Sequence, residues 1–437
     1  MNYIIFLLFS ILAALNFRYA VFLFPAITFI TPKGHGLIDV DALPYLSLNR
    51  GLVLLLFFTW IFRLFYIEKR EVIYKNFPLK NGFAALIISY ILSVFTNFDT
   101  LTKDFPTAII SFLEIFFPCF MIYRYINIES DKKIIKSIIF AGFVSSLIGS
   151  IFYVADINAI TEYYKSTTPT ERVMAADYEG TLRGLRATGT FSHPITFGAF
   201  LAMTFIVGVA AVNTKGLFDL REKYALSFAM AFYFPAILMT NSRTPLLMVA
   251  IGLSVAVLFG SFSLRVKYFT SFVVLLIFAY MILPEVFEKI FLSIVSIFDP
   301  DMSEDWSGSS LEMRQIQTAI AFDEFLKNPI FGGGFSATRS IIGAPGYEDF
   351  YNAESALYLW AIDLGLIGVA AKIYILWKIA EIFYTKTPFN HDSRPFAIGL
   401  VVSYLVFIMA TGVMDTLQYY MILSVLVMKI FYSSKVN

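Results

Sequence analysis

Leu246-Leu-Met-Val-Ala-Ile-Gly-Leu-Ser-Val-Ala-Val-Leu258 contains no charged residue and no proline, and Gly51-Leu-Val-Leu-Leu-Leu-Phe-Phe-Thr-Trp-Ile61 reads the same way. Neither alternates apolar and polar positions as a half-buried strand does. Thirteen such blocks run at about 3–17, 19–31, 50–66, 82–98, 105–126, 137–156, 193–212, 225–241, 246–262, 267–283, 353–376, 396–412 and 417–432. Together they cover roughly half the chain, in pieces near the length that crosses a bilayer. Of the 437 residues 58% are apolar or aromatic and 15% are charged, against about 45–50% and about 25% in soluble domains. That excess excludes a water-soluble enzyme, a disordered chain and a nucleic-acid binder.

A segment inside lipid must satisfy its own backbone hydrogen bonds, and barrel strands would alternate. The predicted fold is therefore an all-α polytopic integral membrane protein, a single transmembrane helical domain over 1–437. The first two blocks are short, with Arg18 interrupting them. They form either one broken span or two, which gives about 12 (12–13) transmembrane helices. Met1 to Phe17 has no basic start and no clear cleavage site, so it reads as the first membrane segment and not as a removable signal. The single Cys119 excludes a disulfide framework and a thiol-based metal site.

The charges orient the bundle. Residues 67–81, 127–136, 213–224, 263–266, 377–395 and the C-terminus, with adjoining helix ends, hold 20 of the 33 Lys and Arg but only 8 of the 32 acids. The opposite side holds 12 basic and 22 acidic residues. Lys and Arg excess marks the cytoplasm, so the 157–192 loop and the large 284–352 loop, expected to contain short helices, face outward. The large loop exceeds an ordinary connector and reads as functional. No cytoplasmic loop is longer than about 19 residues and no GxxxxGK[ST] occurs, which argues against ATP-driven work and a cytosolic nucleotide-sugar site.

Four outward stretches carry chemistry. Arg183-Gly-Leu-Arg186-Ala-Thr-Gly-Thr-Phe-Ser-His193-Pro brings two guanidiniums and an imidazole to the entrance of a helix. Arginine is planar, always charged and suited to bidentate phosphate capture; interfacial anchoring to lipid headgroups is the other reading. Thr240-Asn-Ser-Arg243-Thr-Pro holds Arg243 in a tight connection between spans, where it meets either an anionic ligand or a structural acid such as Glu114. Ser310 to Lys327 reads as a helix carrying Arg314, with Met313, Ile316 and Ile320 on one side. Asn328-Pro stops it before Gly332-Gly-Gly334, a simple loop or a weak phosphate cradle. Tyr351-Asn352-Ala-Glu354-Ser places a carboxylate at the mouth of a long span, a general base or an acid paired with an Arg. Glu114 and Asp363 lie inside spans, where a proton relay and a packing hydrogen bond both fit. The pairs Asp39/Asp41 and Asp299/Asp301 have metal-ligand chemistry, although two-residue patterns arise easily by chance.

In this order the sequence resembles the O-antigen ligase and O-antigen polymerase family of bacterial membrane glycosyltransferases. The resemblance rests on Arg186-Ala-Thr-Gly-Thr-Phe-Ser-His-Pro, Asn-Ser-Arg243-Thr, Arg314 with Asn328-Pro-Ile-Phe-Gly-Gly-Gly, Asn352-Ala-Glu354-Ser, and Asp363-Leu-Gly-Leu-Ile-Gly. It implies transfer of a glycan from undecaprenyl diphosphate to an acceptor hydroxyl at the outer face of the bacterial cytoplasmic membrane. The resemblance implies that no nucleotide, metal or other cofactor takes part. Arg186, Arg243 and Arg314 would hold the diphosphate, Glu354 would be the catalytic base, and Arg183, His193 and Asn352 would contact substrate. Glu354 stands where the ligase branch commonly has a histidine, a departure that points to a repeat-unit polymerase. The expected partners are the lipid-linked glycan donor and acceptor, membrane lipid, and a chain-length regulator and flippase of the same pathway, with no nucleic acid. The competing readings are a ligase, a metal-dependent polyprenyl-phosphate sugar transferase using Asp39 and Asp41, and a lipid-linked oligosaccharide flippase. No internal repeat of the transporter kind is present.

Overall fold

In the computed structural model, residues 2–31, 36–38, 46–68, 77–126, 128–157, 185–298, 310–335, 337–342, 344–347, 350, 354–386, 393–413 and 416–433 are described. The apolar blocks form helices: α1 (Asn2–Leu15), α2 (Phe17–Ile30), α3 (Leu48–Phe62), α4 (Lys80–Thr96), α5 (Leu101–Tyr125), α6 (Ile128–Val154) and α7 (Pro194–Asn213). They continue as α8 (Leu220–Ala231), α9 (Tyr233–Met239), α10 (Arg243–Phe259), α11 (Phe262–Ile282) and α12 (Pro284–Val295). The last group is α13 (Leu311–Lys327), α14 (Ala337–Ile341), α15 (Ala356–Lys386), α16 (Arg394–Ala410) and α17 (Thr416–Ser433). The all-α reading needs one amendment. Gly36–Ile38 and Leu46–Ser47 pair as short antiparallel strands β1 and β2, which satisfies backbone groups in the α2–α3 connection.

The N-terminal block breaks at Asn16, whose side chain accepts a hydrogen bond from the Tyr19 amide at 3.1 Å and caps α2. Arg18, named as the interruption, sits exposed in the first turn of α2. The block at 225–241 also divides, into α8 and α9, at Phe232.

Helix α7 is the centre of the bundle. It bears no charge, 89% of its most apolar window is buried, and α6, α8, α9, α10, α16 and α17 surround it. Small residues let backbones approach in such bundles. A Cβ at Gly399 in α16 would lie 2.6 Å from the Gly252 carbonyl oxygen in α10, so the backbones of these two helices touch there. Helix α11 is the opposite case: only 11% of its window is buried, and Phe269, Val274, Ile277, Phe278 and Met281 face outward. Water-soluble surfaces rarely expose so continuous an apolar patch. Among the described residues six helical stretches, Leu48–Tyr66, Phe98–Tyr125, Lys132–Val154, Pro194–Asn213, Phe262–Ile282 and Ala356–Thr385, are long and apolar enough to cross a membrane. Five shorter apolar helices accompany them.

Helix α15 is broken inside its span. Gly365 has φ +63° and ψ −167°, a region essentially reserved for glycine. The segment after α13 threads the break. The Gly333 amide donates to the Ile362 carbonyl at 2.8 Å and the Gly334 amide to the Asp363 carbonyl at 3.1 Å. The amides of Leu366 and Ile367 donate to the carbonyls of Pro329 and Ile330. Backbone groups freed by the break thus find partners, as they must inside lipid. The Gly332 amide is used as well, donating to the Asn328 carbonyl at 2.9 Å. Of the two readings of Gly332–Gly334 the structure selects the loop, since none of the three amides is left to cradle a phosphate.

Candidate functional site

The site is built where the extended segment 185–188 docks against the turn between α9 and α10. The Ala187 amide donates to the Met239 carbonyl at 2.9 Å, and Asn241 Nδ2 donates to the Leu185 carbonyl at 3.2 Å. Asn241 adopts φ +46°, a left-handed conformation that asparagine tolerates better than most residues. Between these two clamps Arg186 enters the protein, 3% exposed. Its Nε donates to the Thr240 carbonyl at 2.8 Å and its Nη2 to Ser242 Oγ. A small cavity lined by Tyr153, Leu185, Arg186, Thr188 and Gly189 adjoins it. Charges in such low-dielectric surroundings attract an anion far more strongly than in water.

Arg243 follows at the first residue of α10 and is half-buried. Its Nη1 donates to the Ser293 carbonyl in α12 at 2.9 Å. Glu114, offered by the sequence as its structural partner, is elsewhere, paired with Arg50 at 3.2 Å between Oε1 and Nε. The reason is helix order: α5 lies against α2, α3, α4 and α17, whereas α10 lies against α7, α11, α12 and α16.

The second half of the site is held by α13. Ser310 caps this helix, its Oγ accepting from the Met313 amide at 3.1 Å. Arg314 Nη2 pairs with Glu354 Oε2 at 3.3 Å, both side chains half-buried. Gln317, 1% exposed, accepts a hydrogen bond from the Glu354 backbone amide at its Oε1, at 3.1 Å. Thr318 Oγ1 lies 2.7 Å from the Tyr358 hydroxyl. Residues three and four apart share a helix face, so one face of α13 grips residues 354–358. This is not the face read from the sequence. Of that face Met313 and Ile316 are exposed and only Ile320 packs inward, while Gln317 and Ala321 are buried, because the helix docks through polar contacts and packs Ile320 and Ala321 with Ile341, Phe350 and Ile362.

Helix α16 joins the two halves. It runs antiparallel to α10: the helices touch at Gly252 and Gly399, and Phe396, near the start of α16, meets Tyr268 of α11, the helix that follows α10, edge to face. Arg243 and Ile408 each lie nine residues from that crossing, in the same direction. At a rise of about 1.5 Å per residue they stand at one level. There the Ser355 hydroxyl donates to the Ile408 carbonyl at 3.2 Å and the Ala356 amide to the Thr411 carbonyl at 2.9 Å. Arg186 and Arg243, at the start of α10, and the Arg314–Glu354 pair, beside the last turn of α16, thus belong to the same end of this helix pair.

The other sequence candidates divide. His193 caps α7, with Nδ1 accepting from the Ile195 amide at 3.2 Å. Asp363 accepts from the Thr338 amide at 2.9 Å and from Thr338 Oγ1 at 2.5 Å, so its packing hydrogen bond is realised. Arg183, Asn352, Asp39, Asp41, Asp299 and Asp301 lie outside the described residues. Among the described residues no group of three His, Cys, Asp or Glu is arranged to hold a metal. Sequence reading missed Gln317, whose partner is 37 residues away. It also missed Arg50, whose partner is 64 residues away.

The architecture is that of a helical membrane protein with a cationic polar corner at one end of its bundle. Residues 228–373 match the family model described as O-antigen ligase, in agreement with the resemblance read from the motifs. The match spans roughly a third of the chain and includes Arg243, Arg314 and Glu354. It supports a glycosyltransferase-like membrane enzyme of O-antigen pathways. No curated protein matches the chain at a significant level.

Proposed function

We propose that this chain polymerises undecaprenyl diphosphate-linked oligosaccharide repeat units into O-antigen, capsular or exopolysaccharide at the outer face of the cytoplasmic membrane. The reading is supported by two polar groups, Arg186 with Arg243 at the start of α10 and the Arg314–Glu354 pair beside the last turn of α16, on helices that pack against each other. In this scheme about twelve helices span the bilayer, and the loops 157–192 and 284–352 face outward over the two glycans. Arg186 and Arg243, joined by Arg314, hold the diphosphate. The acceptor hydroxyl attacks the anomeric carbon of the donor, and its proton passes to Glu354. The carbon–oxygen bond to the diphosphate breaks, and the lipid diphosphate leaves with its charge stabilised by the guanidiniums. The chemistry needs a base within hydrogen-bond reach of the hydroxyl, an effect worth roughly 10²–10⁴ in rate. Arg183, His193 and Asn352 are assigned to substrate contact. The pathway's chain-length regulator and flippase are the proposed protein partners.

The name of the matched family favours a second reading, ligation of the glycan to a different acceptor. One experiment separates the two. The full-length protein, in nanodiscs, is given lipid-diphosphate-linked oligosaccharide extracted from cells that lack it, with and without a second acceptor. A product ladder without added acceptor supports the polymerase. A single addition that needs the second acceptor supports the ligase. An Arg186→Ala or Glu354→Gln protein that still makes the wild-type ladder removes the site assignment.

A further inference from the structure

We infer that Gln317 is the positioning residue for the base, holding Glu354 through its backbone amide while Arg314 on the same helix face holds the carboxylate. The inference rests on the assignment of Glu354 above. Three contacts converge from one face of α13 onto residues 354–358. They are the Arg314–Glu354 ion pair at 3.3 Å, the Glu354 amide on Gln317 Oε1 at 3.1 Å, and Thr318 against the Tyr358 hydroxyl at 2.7 Å. Glu354 and Ser355 precede the first turn of α15, where backbone amides have no intrahelical acceptor. The chain satisfies those of residues 354, 356 and 357 separately, with Gln317, the Thr411 carbonyl and the Ser355 hydroxyl. Only the Glu354 amide takes a side chain from another helix.

The division of labour has a consequence for turnover. Arg314 is assigned both to Glu354 and to the incoming diphosphate, and it must turn from the carboxylate as the anion arrives. Through that exchange the backbone bond to Gln317 remains, so the base keeps its place while its charge partner leaves. A misplacement of about 1 Å at a reacting group is enough to cost roughly 10²-fold in rate.

Two substitutions of the buried Gln317 separate positioning from packing. Gln317→Glu keeps an acceptor oxygen at the same reach but buries a charge. Gln317→Met keeps the volume but offers only a weak thioether acceptor in place of the amide oxygen. Burying charge without full compensation is the greater cost to stability, so a packing role ranks both unfolding midpoint and activity as Met above Glu. Positioning ranks kcat the other way, Glu above Met. In the nanodisc assay Gln317→Met is expected to lose about 10–100-fold in kcat with the donor KM within about twofold of wild type. Gln317→Glu is expected to recover most of the rate in spite of a lower unfolding midpoint. Activities that follow the midpoints, or a Gln317→Met protein with wild-type kcat, overturn the inference. Absence of any wild-type product refutes the proposed function instead. An active Glu354→Gln protein refutes the base assignment on which both stand.

Discussion

Replacement of Gly365 by alanine tests the central claim about how the site is carried. The residue sits at φ +63° and ψ −167°, where a side chain costs about 1–3 kcal/mol of backbone strain. Its Cβ would also lie 2.5 Å from the Ile330 carbonyl carbon and oxygen and 2.6 Å from the Gly332 nitrogen. Those are backbone atoms, so the threaded segment itself must move, an overpacking cost of about 1–3 kcal/mol. Together the two effects destabilise the protein by about 2–6 kcal/mol. Gly216→Ala is the matched control, because Gly216 also has a positive φ, +73°, but nothing lies within 4 Å of its Cβ position. It is expected to lose only about 1–2 kcal/mol. SDS-induced unfolding in mixed micelles reads both. Equal losses at the two positions would refute the claim that residues 329–334 thread the break in α15. The same variant reports on function, since the segment of α15 before the break continues from Glu354; Gly365→Ala is expected to lower product formation more than Gly216→Ala does.

Asp363 offers a sharp contrast between packing and proton transfer. Asp363→Asn keeps an acceptor for the Thr338 hydroxyl, so transferase activity is expected to stay within about threefold of wild type, while Thr338→Val removes that donor at a cost of about 1–2 kcal/mol in the same unfolding assay. A Asp363→Asn protein that folds but is inactive would restore the proton-relay reading. Glu324 sets a pH window outside the spans. Burial raises its carboxyl, but hydrogen bonds from Lys327 and Tyr347 outweigh that and hold it below the ordinary value. A lowered folded value means the stabilisation is present above the unfolded value of about 4.3 and is lost as pH falls through the folded one. Hydrogen exchange around Glu324 and Tyr347, corrected for intrinsic rates, should show protection falling below about pH 4, and a Glu324→Gln protein should show no such step.

Membrane character and helix type were legible residue by residue. Each span declares itself within about 20 neighbouring positions, and α3, α4, α7, α10 and α17 fall within a few residues of their apolar blocks. The N-terminal break was legible to within two residues, at Arg18 instead of Asn16, whereas those at Phe232 and Gly365 were not. Hydropathy does not change at those two, and the break at Gly365 depends on a segment arriving from elsewhere. The arginines of the candidate site stood out in the sequence because a cation near an apolar block is conspicuous wherever its partner lies. Their neighbours were not. Glu114, offered as a partner for Arg243, pairs with Arg50, Gln317 carried no signal, and the buried face of α13 was read only at Ile320 because its docking is largely polar.

The amino-acid order by itself determined that the chain is a membrane helical bundle and which charged residues stand out from it, since both follow from the local balance of apolar and polar side chains. Which of those residues meet was decided only by the tertiary structure. Arg186 reaches Ser242 across 56 positions, Arg314 reaches Glu354 across 40, and Gln317 reaches the Glu354 amide across 37. Separations of that size are set by helix order, by the crossing of α10 on α16, and by the break at Gly365.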